Sequence, residues 1–176
     1  TTRKLDPVSR QISSVPITAS VVSDENMPDS YAWNDGLWMI KRKKEAGKKK
    51  PVTVYEVSLT DWLKEKSADE LVNFVKQEGY THVCFLPVAE YLNEEMNGYS
   101  TLGYFTVTHR IGGSDAFKKL VDDCHNAGIG VIIDWNGAYF GTEVKGLYDF
   151  DGADAYGYLK PSLEKHPEWD VVTFDY

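Results

Sequence analysis

Three runs decide how this chain folds: Val52-Thr-Val-Tyr-Glu-Val-Ser-Leu59, Thr81-His-Val-Cys-Phe-Leu-Pro-Val88 and Ile129-Gly-Val-Ile-Ile-Asp134. The first is rich in β-branched and aromatic residues, as a strand should be. The second and third are apolar on nearly every residue, the mark of strands covered on both faces. Between the first two, Ser67 stands three residues before Glu70, a capping box. Leu71, Phe74 and Val75 follow at helical spacing, and Gly79 sits where a helix ends with positive φ. Between the second and third runs comes a long loop, and then Ser114 is expected to cap a second helix. Its stripe is Phe117, Leu120, Val121 and Cys124, closed by Gly128. Strands alternating with amphipathic helices predict a βαβαβ unit: a parallel sheet with right-handed connections.

Working outward, residues 136–170 are rich in Gly, Asp and Tyr and show no helical stripe. Val171-Val-Thr-Phe174 reads either as a short strand or as the lead into a helix. A complete (β/α)8 barrel takes roughly 250 residues. The unit is therefore either a small open α/β domain or a piece of a larger barrel. On the other side, residues 1–50 have no sustained period. Asp6-Pro7, Val15-Pro16 and Met27-Pro28-Asp29-Ser30 are turn signals. This stretch reads as an extended connector, with residues 51–176 as the domain that follows. Tyr31, Trp33, Trp38 and Met39 are too large and apolar to be left in water together, so the connector is expected to dock them either on the rest of this chain or on a part beyond it.

The 176 residues carry a net charge of −8 and two cysteines, with 42% hydrophobic residues. Two cysteines are too few for a disulfide scaffold, and reduced thiols are expected. Cys84 and Cys124, on a strand and on a helix expected to cover it, could lie close together. Residues 41–50 (KRKKEAGKKK) hold seven Lys/Arg against one Glu, a local +6. The other 12 basic and 26 acidic side chains leave −14, which repels phosphate, so no nucleic-acid partner is expected. The Lys-rich run reads as a solvated loop. No run approaches the roughly 18 apolar residues of a membrane span, and no secretory signal opens the chain, so a cytoplasmic protein without a membrane partner is expected. His82, His109, His125 and His166 lack metal-ligand spacing, so no zinc site is expected. Gly112-Gly113 has no phosphate-loop pattern, and no Gly-x-Ser-x-Gly elbow occurs.

A string of blocks resembles one family. Val54-Tyr-Glu-Val57, Gly79-Tyr-Thr-His-Val83, Leu86-Pro-Val88, Glu90, Gly98-Tyr99 and Gly103-Tyr-Phe105 are similar to the start of the catalytic barrel of 1,4-α-glucan branching enzymes, in the α-amylase superfamily. So are Phe117-Lys118, Val121-Asp122, Cys124-His125 and Ala127-Gly-Ile-Gly-Val-Ile-Ile-Asp-Trp135, while Tyr31-Ala-Trp33 to Trp38-Met39 is similar to the connector entering that barrel. The resemblance implies the first three βα units of a partial TIM (β/α)8 barrel. It implies retaining transfer on an α-1,4-glucan, needing no metal or organic cofactor: an Asp attacks the anomeric carbon while a Glu protonates the leaving oxygen. In the family these acids and a further Asp lie on strands four, five and seven, so they are expected beyond Tyr176, and the isolated chain is expected to be inactive.

The resemblance further implies that Tyr99 stacks on sugar at the cleavage subsite and that Asp134, at the end of the third strand, is a supporting Asp. Glu56 and Glu90, near strand ends, are read as structural hydrogen-bonding groups. The family's sugar-donating His, five residues after that Asp, is Tyr139 here; the Trp expected before Gly98 is Asn97, and a usual Pro is Thr101. Tyr99, Asp134 and Tyr139 are the candidate substrate-binding residues. The departures leave two other readings, an amylase- or pullulanase-type hydrolase and a non-catalytic glucan-binding pseudoenzyme. A partial barrel would also bare strand edges through which copies could self-associate.

Overall fold

A computed structural model describes residues 3–13, 18–22, 31–92, 94–143, 145–159, 166, 168–169 and 171–176. The turn signals at Val15-Pro16 and 27–30 lie outside these residues. In chain order the strands and α-helices are β1 (Ile12–Ser13), β2 (Ala19–Ser20), α1 (Gly36–Glu45), β3 (Val54–Val57), α2 (Leu59–Glu65), α3 (Ala68–Gln77), β4 (His82–Phe85), β5 (Ala89–Tyr91), β6 (Thr101–Val107), α4 (Gly113–Asn126), β7 (Gly130–Ile133), β8 (Tyr139–Gly141) and β9 (Val171–Thr173). They gather into two compact units, each built from separate stretches of chain.

One unit, Glu25–Leu86 with Arg110–Asp134, holds the expected parallel sheet, in the order β3-β4-β7. Register places Tyr55, Val83 and Val131 in one row and Val57, Phe85 and Ile133 in another. This face meets the helices: Tyr55 packs edge-on against Phe74 of α3, and Phe85 against Phe117 of α4. Leu71, Val75, Val83, Phe85, Leu120 and Cys124 are buried there, each large aliphatic or aromatic side chain contributing about 1.5–3 kcal/mol. The capping box forms as expected, Ser67 Oγ accepting from the Glu70 amide and the Glu70 carboxylate accepting from Ser67. Gly79 and Gly128 both take positive φ.

Alternation sends Val54, Glu56, His82, Cys84, Gly130 and Ile132 to the opposite face; Val54 and Ile132 are about two-fifths exposed. Gly130 leaves room for the ring of His82, which would have to shift if a Cβ stood here, 2.3 Å away. Glu56, read as a structural hydrogen-bonding group, is instead exposed.

Cys84 and Cys124 are not neighbours. Both thiols are free, and Cys84 points away from the helix layer that buries Cys124. Burial pushes the Cys124 thiol up to about 12. Burial, with the carboxylates of Glu56 and Asp134, also raises Cys84. Since the thiolate is the reactive form, Cys124 in the native chain at pH 8 is expected to resist a chromogenic disulfide reagent, and both thiols should titrate at once in denaturant. Full, immediate titration of two thiols without denaturant would contradict this burial.

Three local expectations are corrected. Residues 36–45 lie in α1, not in extended chain: Leu, Met, Lys, Arg and Glu are good helix formers, and Arg42, Lys43 and Lys44 face the negative end of the helix dipole. The first half of the Lys-rich run is thus helical rather than loop, although it is solvated as expected. Helix α2 follows β3 at once because Ser58 accepts from the Asp61 amide, an N-cap inside the run read as one strand. Helix α4 begins at Gly113 behind left-handed Gly112, one residue before the expected Ser114 cap, and no side chain caps it.

Of the large connector side chains expected to dock, Tyr31 and Trp38 lie on α4, whereas Trp33 (46%) and Met39 (47%) remain exposed. The Asn34 amide (3.0 Å), the Asn34 side-chain amide (3.4 Å) and the Tyr31 hydroxyl (3.3 Å) all donate to the carboxylate of Asp122, a buried residue of α4. Trp38 stacks on His125 at 5.0 Å, and His125 Nδ1 bonds Asp35 at 2.7 Å.

In the second unit, Thr1–Asp24, Pro87–His109 and Trp135–Tyr176, the strand pairs among the described residues are all antiparallel: β1-β2, β5-β6 and β8-β9. The loop expected after the second strand is in fact the β5-β6 ladder, whose register shifts twice between Ala89 and Tyr91. Such irregular, short strands leave no period to read. Val171–Thr173 is a strand, which settles the open reading of that segment. Phe140, Leu147 and Val172 form its core, with Tyr104, Tyr148, Phe150, Tyr156 and Phe174 packed around them.

Candidate functional site

Tyr99 follows two left-handed residues, Asn97 (φ 49°) and Gly98 (φ 88°), and its amide donates to the Met96 carbonyl at 2.8 Å. Asparagine tolerates this conformation better than a bulky aromatic does, which gives Asn97 a local reason to be there. Gly98 is required twice over, since a Cβ would also come within 2.9 Å of the Pro87 carbonyl oxygen. The result is a sharp turn that presents a half-buried Tyr99.

Tyr139 opens β8, and Asn136 ties it to Tyr99. The buried Asn136 side chain donates from Nδ2 to the Tyr99 carbonyl (2.6 Å) and the Tyr139 carbonyl (3.2 Å). Its Oδ1 accepts from the amides of Ala138 (3.2 Å) and Tyr139 (3.4 Å). The Tyr104 hydroxyl also donates to the Tyr139 carbonyl, and burial raises this phenol far above its usual value, so it remains a donor at any ordinary pH. Two of the three sequence-predicted residues are therefore held by one amide. Asn136 escaped the sequence reading because an Asn in an Asn-Gly pair looks like an ordinary turn residue.

The ring of Tyr139 stands edge-on to His166 and to Trp169, 5.7 Å from each. His166 and Trp169 stack on one another at 4.0 Å and 12°. These two residues were also missed, since the segment around them carries no periodicity. Glu90 is buried and accepts from the Tyr91 and His109 amides, the Thr108 hydroxyl and the His109 ring, as a structural carboxylate does. Asp134 belongs to the parallel-sheet unit: it follows β7 directly, is half-buried, and its amide donates to the Phe85 carbonyl at 2.8 Å. Among the described residues no group of His, Cys, Asp and Glu could hold a metal ion, and no helix is long and apolar enough to cross a membrane.

The chain can now be placed. Its fold is that of an alpha-amylase-type protein: it superposes on a crystal structure from Salmonella typhimurium titled "Putative alpha Amylase" with a TM-score of 0.70 at 23% identity, over 97% of this chain and 27% of that one. No family model matches. In sequence the chain is a homologue of the 1,4-alpha-glucan branching enzymes. It is 37% identical to GlgB of Lactiplantibacillus plantarum over 98% of its residues, and 38% identical to GlgB of Methylococcus capsulatus over the same share. It spans about a quarter of the length of these relatives (28% and 24%).

Proposed function

We propose that this chain is the opening portion of the catalytic barrel of a branching enzyme, supplying three βα units and part of the glucan-binding wall. The observation that carries the reading is the homology along 98% of the chain, joined to a local one: Asn136 holds together two half-buried tyrosines at the positions the family resemblance assigns to sugar. A flat ring whose phenol can also hydrogen-bond suits a pyranose, which is apolar on its faces and polar around its rim. Tyr99 stacks on sugar, Tyr139 donates one hydroxyl hydrogen bond where the family has an imidazole, and Asp134, at the end of β7, accepts hydrogen bonds from sugar hydroxyls. The chemistry is retaining transfer from an α-1,4-linked chain to a glucan 6-hydroxyl, with the nucleophilic Asp and acid/base Glu contributed by later strands. The face of the β3-β4-β7 sheet that carries Val54, Glu56, Cys84 and Ile132 would line a barrel interior completed by those strands.

The test is to incubate amylose with the whole protein carrying this segment, and separately with residues 1–176. The whole protein is expected to lower iodine absorbance and create α-1,6 linkages, and the shorter chain to do neither. New reducing ends without branches would instead mark a hydrolase. Retention on glucan with no change in it would mark a binding protein, the reading that Tyr139 and Asn97 favour. Branching by residues 1–176 alone would overturn the assignment of the acids to later strands.

A further inference from the structure

We propose that Trp169, braced by His166, is a stacking platform for a glucose residue of an α-glucan chain, beside Tyr139; this rests on the glucan reading above. The argument is geometric. The His166 and Trp169 rings are parallel and 4.0 Å apart, so each covers one face of the other. Tyr139 is perpendicular to both and equally distant from both, at 5.7 Å, so it stands beside the stack and over neither outer face. The outer face of the Trp169 indole is thus left by both rings, and Trp169 is 46% exposed. An indole exposed to that extent costs hydration unless something flat and partly apolar covers it.

The surroundings select a sugar over a purely apolar ligand. His166 Nδ1 accepts from the Glu168 amide at 3.3 Å, which leaves the ring proton on Nε2. The Tyr139 hydroxyl and the exposed Glu168 carboxylate lie on residues that adjoin the same stack. An apolar plate on a turn that also carries an N–H donor and a carboxylate, with a tyrosine hydroxyl on the ring beside it, suits the faces and rim of a pyranose. Neighbouring elements keep the plate in place. The His166 amide donates to the Val171 carbonyl (3.1 Å) and the Val171 amide to the Trp169 carbonyl (2.9 Å), so the turn is pinned to β9, which pairs with Tyr139 through Thr173.

The experiment is calorimetric titration of residues 1–176 with maltoheptaose, with Trp169→Leu, Trp169→Phe and Tyr99→Ala compared with the unaltered chain and near-ultraviolet circular dichroism used to confirm folding. Trp169→Leu, which keeps apolar bulk but not a flat ring, is expected to weaken binding at least tenfold. Trp169→Phe, which keeps the stack on His166, is expected to stay within about threefold and decides the matter if the leucine variant does not fold. Wild-type affinity in Trp169→Leu, with binding lost in Tyr99→Ala, would overturn the platform and leave the glucan reading standing. Equal loss in the Phe and Leu variants would overturn the role of the ring face. No maltoheptaose binding by the unaltered chain would overturn the glucan reading and the platform with it.

Discussion

Asp122→Ala is expected to lower the unfolding midpoint of residues 1–176 by about 6–12 °C. The carboxylate is buried and gathers the Asn34 amide, the Asn34 side chain, the Tyr31 hydroxyl and the Asn126 side chain. Alanine removes the acceptor that these part-buried donors share, and losing several hydrogen bonds to one buried carboxylate costs about 3 kcal/mol in total. For a chain of this size about 1 kcal/mol moves the midpoint by 2–4 °C. Asp122→Asn keeps one acceptor oxygen and should lose about a third as much. The damage should also be local. With its anchor gone, the stretch from Tyr31 to Trp38 comes off α4, so chymotrypsin should cut there first, after Tyr31, Trp33 or Trp38, before the β3-β4-β7 sheet opens. A Tm within 2 °C of wild type, with unchanged proteolysis, would show that Trp38 stacking and the His125–Asp35 contact hold the segment unaided.

The second large effect is expected at Asn136. Removing its amide by Asn136→Ala deletes two donors and one acceptor from a buried turn, at a cost of about 2–3 kcal/mol. It also uncouples the Tyr99 turn from β8, so maltoheptaose affinity should fall about tenfold even at temperatures where the fold persists. Asn136→Asp is the sharper test. It retains the oxygen that accepts from Ala138 and Tyr139 but sets a carboxylate against the carbonyl oxygens of Tyr99 and Tyr139, now 2.6 and 3.2 Å from Nδ2. The aspartate variant should therefore be no more stable than the alanine one at pH 7. It should recover partly at low pH, where a protonated carboxyl can donate again. An aspartate variant as stable as wild type at pH 7 would mean that the donor side of the clamp contributes nothing.

How much was legible follows from what each segment buries. Around Leu71, Phe74, Val75 and Phe117, Leu120, Cys124 the pattern was plain, because one face of a helix must meet the sheet and only apolar side chains satisfy it. The β5-β6 ladder and the β8-β9 pair were not legible. They are short, their register shifts or their partner lies some thirty residues away, and their stability comes from pairing rather than from local preference. The same contrast holds for the candidate site. Tyr99, Asp134 and Tyr139 could be picked out by a family resemblance, whereas Asn136, His166 and Trp169 acquire meaning only from what they touch.

Periodicity and caps by themselves determined that three strands alternate with amphipathic helices. Tertiary structure alone decided that a buried Asp122 receives the connector, that one asparagine clamps two tyrosines, and that an imidazole and an indole stack beside the second of them. The physical reason is range. Helix faces and caps are settled between residues three or four apart, whereas a hydrogen bond from Asn34 to Asp122 or from Asn136 to Tyr99 exists only after the whole chain has closed its loops.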